Sequence, residues 1–436
     1  MKKLVMAAAV LGAFAGTAQA QTSVTLYGIA DGDLRFDHTN IGTLKSVDSG
    51  GESGSRWGIR GSEDLGGGMK ANFIFEQGID ITDNSVPQGS IGGGASGGFG
   101  GSSTQPHSSS GSRFFGRTST VGLSGAFGEV RFGRGYNPIF LVQATADPFG
   151  AGFVGQVSNL YVNNFIRNDN AVYYDTPRFA GVQLSGVYQF GESATNSTAL
   201  AATGQAKRGN DRYGAGITYA NGPIYAGAGY EQIKSNLDLY RARTFDVAGT
   251  YDFGFMKLHA IYWRTKNDNP NNVAGIYNPV TGAVVGPAFG STVSLKSHTI
   301  SGGVTVPFGA WTFLGQYSYL KDTSHSNVFN TDLGSPTAKN IGLGARYSLS
   351  KRTIFYVGFS RINLKNGSAG NAYQNTAGQN FLGIADASNS GLYNVGNLYG
   401  SQAGLTGNAA RVAASGVAVN QNVNPYSYQF GIRHSF

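Results

Sequence analysis

The sequence predicts an all-β fold, a sixteen-stranded antiparallel transmembrane β-barrel with short turns at one end and long loops at the other. Three observations carry that reading. Period-two alternation runs along almost the whole chain, short and long connections alternate strictly, and the composition is rich in glycine and aromatics but poor in charge. Of 436 residues 67 are glycine, 12% are aromatic and only 13% are charged. A soluble chain of this length would carry about a quarter charged residues. No apolar run after the N-terminus approaches the ~20 residues of a membrane helix. With no cysteine, disulfide frameworks and thiolate metal sites are excluded.

The N-terminus reads as a secretory signal. Lys2 and Lys3 are the basic start, Leu4 to Gly16 the apolar middle, and Thr17-Ala18-Gln19-Ala20 an A-x-A-like cleavage site. Residues 1–20 are therefore expected to be removed, leaving residues 21–436 as the barrel. The formal charge falls from +8 to +6 once Lys2 and Lys3 are gone, and the basic residues are scattered. Scattered, mild positive charge argues against nucleic-acid binding and for a local electropositive channel.

The strands follow in order. In the first, Val24, Leu26, Gly28, Ala30, Gly32, Leu34 and Phe36 share one phase. Thr25, Tyr27, Ile29, Asp31, Asp33, Arg35 and Asp37 hold the other. A helix would mix these sets on every face, whereas a strand separates them. Later segments repeat the pattern, with Val182, Leu184 and Tyr188 opposing Gln183, Ser185 and Gln189. Phe245, Val247 and Tyr251 oppose Asp246, Ala248 and Thr250, and Trp311, Phe313 and Tyr317 oppose Thr312, Leu314 and Gln316. Ile341, Leu343 and Tyr347 likewise oppose Gly342, Gly344 and Arg346. Apolar residues with aromatic ends on one face suit lipid and its two interfaces; small and polar residues on the other suit water.

Short turns recur at 64–68, 125–128, 177–181, 221–223, 253–255, 307–310 and 349–352. Between them lie long Gly/Ser/Asn-rich stretches near 38–53, 82–111, 137–167, 192–209, 235–241, 266–295, 322–338 and 365–424. That alternation gives about sixteen strands, an even number that leaves an aqueous lumen, and places both termini on the periplasmic side. The last strand carries Tyr426, Tyr428, Phe430, Ile432, His434 and Phe436 in one phase, ending in a terminal aromatic. Such an ending looks like the assembly signal of outer-membrane barrels.

These stretches resemble the general trimeric porins of Gram-negative outer membranes, most closely the β-proteobacterial branch. The resemblance rests on Ser23-Val24-Thr25-Leu26-Tyr27-Gly28, on Ser55-Arg56-Trp57-Gly58-Ile59-Arg60-Gly61-Ser62-Glu63-Asp64-Leu65-Gly66, and on Arg117-Thr118-Ser119-Thr120-Val121-Gly122-Leu123-Ser124-Gly125. Gly128-Glu129-Val130-Arg131-Phe132-Gly133-Arg134 and Asp169-Asn170-Ala171-Val172-Tyr173-Tyr174 extend it. It implies a homotrimer in outer-membrane lipid, each barrel passing ions and small hydrophilic solutes. It further implies a third outer loop, about Asn137 to Arg167, folded inward to narrow the lumen. Ile139, Phe140, Leu141, Val142, Phe149, Phe153, Val154 and Phe165 make this segment unusually apolar for an outer loop. That content fits packing against an inner wall, with a short buried helix compatible with it.

In such porins a ladder of arginines on the wall faces carboxylates on the loop, and the transverse field discriminates by charge. By resemblance Arg56, Arg60 and Arg117 are the wall positions, and Asp147 is the candidate opposing carboxylate. By phase, Arg35, Lys70 and Arg131 also face inward. A charge facing lipid at mid-depth costs ~2–4 kcal/mol, so inward orientation is favoured. With a single acid in the loop, the gap is expected to be net positive and to favour anions. Arg134 falls in the outward phase; the resemblance implies a subunit contact there.

Other chemistry is set aside. The glycine tract at 92–101 lacks a Gly-Lys-Ser/Thr ending and a following helix, so it is no phosphate cradle. No Ser/His/Asp set stands out, so no enzyme is expected, and no cofactor motif is present. Asp31, Asp33 and Asp37 fit a solvated inner face better than a divalent-ion site. The long stretch 365–424 keeps an alternative open, a substrate-selective channel with a binding site near its mouth.

Overall fold

The computed structural model describes residues 23–39, 42–82, 114–161, 166–190, 211–234, 241–268, 293–323, 325–326, 337–365 and 426–436. The expected signal peptide, Phe165 and most of the outer loops lie outside them.

The chain forms one closed antiparallel barrel. Its strands are β1 (Ser23–Thr39), β2 in two pieces (Gly42–Ser49 and Arg56–Gly66), β3 (Met69–Gly78) and β4 (Thr118–Gly125). There follow β5 (Gly128–Tyr136), β6 (Arg167–Asp175), β7 (Val182–Gln189) and β8 (Asp211–Asn221). Next come β9 (Ile224–Lys234), β10 (Arg241–Asp252), β11 (Lys257–Asp268) and β12 (Val293–Phe308). The barrel ends with β13 (Trp311–Asp322), β14 (Thr337–Ser348), β15 (Thr353–Lys365) and β16 (Tyr426–Ser435). A two-residue strand, His325–Ser326, pairs with the outer end of β12. Closure comes from β16 on β1, in register from Ile29↔Ser435 to His38↔Tyr426. Gly28 and Phe436 add a reciprocal pair of backbone bonds at 3.1 Å. Closure leaves no unpaired strand edge in lipid, where each orphaned backbone group would cost several kcal/mol.

The alternating phases face as expected. Leu26, Leu184, Val247, Phe313, Leu343 and Phe430 all expose much of their surface on the outside of the wall. Each such side chain taken up by lipid contributes ~1.5–3 kcal/mol relative to water. The short turns all lie at the end that carries Ser23 and Phe436, which are the two ends of the described barrel.

Two features depart from the alternation of turns and loops. The stretch expected as a first long loop, 38–53, is mostly strand: β1 runs to Thr39 and pairs with Gly42–Ser49. The break lies lower, at 50–55, where the upper half of β1 pairs with the first piece of β2 and the lower half with the second. The Ser55 hydroxyl patches the ladder there, accepting from Asp31 N–H at 3.0 Å and donating to Asp31 C=O at 2.9 Å.

The second feature is the interior. The third loop fills part of the lumen, and its helix α1 (Pro138–Ala146) begins at an Asn137 cap whose side chain accepts from Ile139 N–H. Pro138 suits the first helical position, and Pro148 biases Asp147 out of helical geometry and stops the helix. Ile139, Val142 and Ala146 pack on Ala248, Ile261 and Trp263 of β10 and β11. Further on, Phe149 and Phe153 pack on Leu314 and Tyr356 of β13 and β15. Tyr161 stacks on Trp263 with ring centroids 4.2 Å apart. The two largest apolar clusters among the described residues are therefore contacts of this loop with the inner wall.

Candidate constriction site

The loop lies along the inside of β7 to β15, so the lumen narrows against the opposite wall, β1 to β6. That wall carries the arginines. Strand pairing puts Thr25, Tyr27, Arg56, Gly58, Arg60 and Glu76 on one inward face. Arg117 enters just before β4 and its Nε lies 2.7 Å from Glu76 Oε1. Arg56 Nη1 lies 3.9 Å from the same oxygen. Tyr27 donates its hydroxyl to Glu76 Oε2 at 3.0 Å. The Tyr136 hydroxyl accepts from Arg117 at 3.0 Å and from Arg167 at 2.8 Å. Arg167 also lies over the Tyr136 ring, 4.4 Å from its centroid. Arg56 and Arg117 thus share one carboxylate, Glu76, and Arg167 joins them through the Tyr136 hydroxyl.

The remaining candidates separate by depth. Arg60 is exposed to the lumen below this cluster, with its guanidinium 5.3 Å from the Tyr27 ring centroid. Arg131 sits lower still, near the Gly128 turn. Asp175 at 2.5 Å and Glu129 at 3.4 Å offset its charge. Lys70 is exposed beside the turn that starts β3, at the periplasmic rim and away from the cluster. Arg35 lies above the cluster, bound to Asp37 at 3.1 Å and near Asp48 at 3.6 Å.

Asp147 is in the inward loop, but its carboxylate turns back into that loop. It accepts from the backbone N–H groups of Phe149 at 3.0 Å, Ala151 at 3.1 Å and Val157 at 3.4 Å. It is buried, and burial pushes its pKa up to about 6 against the pull of those N–H groups and of Arg346. Its part here is to hold the loop's turn, where a carboxylate facing the wall arginines was expected. Asp31, Asp33 and Asp37 are buried, where a solvated face was expected; Asp31 accepts from the Glu52 N–H and Asp37 from the Ser427 hydroxyl. Arg134, on the outer face, pairs with Asp169 of the same chain.

Several groups escaped sequence reasoning. Glu76 shares the inward phase of Lys70 and Asn72, so its direction was available, though nothing marked it as the arginines' partner. Tyr136 and Arg167 flank the loop, and the pairing of β5 with β6 sets them side by side. Glu52 lay inside a stretch read as loop.

Comparisons with known proteins agree with this architecture. A family model described as Gram-negative porin matches residues 7–367. An outer membrane porin protein of Bordetella pertussis is 32% identical over 403 residues, spanning 82% of this chain and 93% of the relative. Outer membrane porin protein 32 of Delftia acidovorans is 29% identical, over 84% of this chain and 91% of the relative. Among solved structures, an anion-selective porin from Comamonas acidovorans superposes with a TM-score of 0.63 at 25% identity. That match covers 95% of this chain and all of the other.

Proposed function

The chain belongs to the Gram-negative porin family, and we propose that it forms a passive outer-membrane channel favouring anions among ions and small hydrophilic solutes. One observation carries the sign of the preference: on the wall facing the inward loop, Arg56, Arg117 and Arg167 are linked through the Tyr136 hydroxyl and a single carboxylate, Glu76. In a narrow, low-dielectric gap an excess of positive charge raises the local anion concentration and repels cations. The solved anion-selective relative supports the same sign.

The channel works as a homotrimer. Supporting this, the Arg134–Asp169 pair lies on the outward phase of the wall, where an arginine exposed to lipid at mid-depth would cost ~2–4 kcal/mol. A neighbouring subunit over that patch removes the cost. A binding site at the mouth has its sequence basis in residues 365–424, of which 366–424 lie outside the described residues. Planar-bilayer recording tests the assignment. A diffusion pore gives conductance that rises with salt without saturating, in steps grouped by three. Silent bilayers, or conductance saturating with one solute, would count against it.

A further inference from the structure

The break in β2 at 50–55 turns into the lumen, and Asp31 holds it there. Asp31 Oδ2 accepts from the backbone N–H groups of Glu52 at 3.0 Å and Ser53 at 2.6 Å. Asp31 Oδ1 accepts from the Tyr356 hydroxyl at 2.5 Å. So fixed, the Glu52 side chain is only 4% exposed, with Oε1 2.7 Å from Arg346 Nε and Oε2 3.1 Å from Arg433 Nη1. Those arginines stand on β14 and β16, and Arg433 is the strand partner of Asp31 where β16 closes on β1. The Arg346 guanidinium also covers the Phe153 ring, 5.0 Å from its centroid.

The same segment grips the tip of the inward loop. Phe153 N–H donates to Gly51 C=O at 2.8 Å. The backbones touch so closely that a Cβ on Gly152 would lie 1.7 Å from the Glu52 carbonyl oxygen. On its other side the segment meets the arginine wall: Arg56 donates to the Ser53 hydroxyl, and a Cβ on Gly54 would lie 2.8 Å from Arg117 Nη1. The break in β2 thus joins the wall arginines, the loop tip and the arginines of β14 and β16.

We propose that residues 50–55 form a second constriction element, and that Glu52 is a specificity-determining residue that pins the loop tip and masks the charge of Arg346 and Arg433. The proposal rests on the reading of the chain as an anion-favouring pore. Its physical basis is that a carboxylate held between two guanidiniums offsets their field, and removing it leaves both uncompensated. A mere brace would steady the loop and leave ion selectivity alone.

Zero-current potentials in a KCl gradient across planar bilayers decide between these, using wild type, Glu52→Gln, Glu52→Asp and Arg433→Gln. Heat-modifiable gel migration checks that each variant is folded. Glu52→Gln keeps the shape and removes the charge. It should raise the chloride-to-potassium permeability ratio by about twofold and increase open-channel noise. Glu52→Asp should stay near wild type, while Arg433→Gln should move the ratio the opposite way. A folded Glu52→Gln channel with the wild-type potential overturns the proposal, even if it is noisy. If Glu52→Gln does not fold, an unchanged potential in Arg433→Gln overturns it equally. A wild-type channel that is silent or favours cations would instead refute the underlying pore reading.

Discussion

The carboxylate of Asp147 caps its own loop, and this gives the pore a pH dependence of definite sign. Its pKa in the fold is about 6, above the ~3.9 of an unfolded aspartate. The folded loop therefore binds the proton more tightly than the unfolded one, so loop docking strengthens as pH falls through about 6 toward 4. That gain is complete below the unfolded value and lost once pH rises past the folded one. Open-channel noise should accordingly be lower at pH 4.5 than at pH 7.5. Asp147→Ala should be noisier than wild type at both, because buried N–H groups left without an acceptor cost ~1–3 kcal/mol each. Noise that grows on acidification in wild type would contradict this. At this scale the sequence was legible where strand periodicity fixes direction: Arg56, Arg60 and Glu76 all lie in the inward phase. It was not legible for Asp147, since nothing periodic sets the aim of a side chain in a loop.

Among elements, the inward loop and its wall depend on close backbone approach. A Cβ on Gly342 of β14 would lie 2.5 Å from the Gly155 carbonyl oxygen, so Gly342→Val cannot be accommodated with the loop in place. The variant is expected to fold as a barrel, since the inner face of β14 carries the change and the lipid face does not. Its loop should be displaced, which shows as single-channel conductance altered by about twofold with heat-modifiability retained. Wild-type conductance would mean that the loop does not rest on β14. The loop's docking was legible in outline from its apolar residues, of which Ile139, Val142, Phe149 and Phe153 are buried. Leu141 points away and remains exposed, as helical periodicity requires of one face. The first hairpin was misread because Gly, Ser and Asp in 46–54 look like a loop. Only the long-range hydrogen bonds of Asp31 show that the segment is a strand with a break turned inward.

For the molecule as a whole, the barrel was legible because its two solvents impose opposite demands on alternate residues. That periodicity holds in the described strands from β1 to β16, and the strand order needs no more than neighbour-to-neighbour pairing and closure of β16 on β1. The charge balance of the constriction was less legible, since it depends on which groups meet across the lumen. Arg56 comes from β2, Arg117 from just before β4 and Arg167 from β6, and the bridging Glu76 and Tyr136 from β3 and β5. The most direct test of the account is the zero-current potential of the wild-type channel in a planar bilayer under a KCl gradient. The excess of guanidinium over carboxylate in the cluster facing the inward loop predicts the sign of a chloride-preferring pore, weakening as bath salt screens the field. A potential of the opposite sign, showing that potassium passes more readily than chloride, would contradict it.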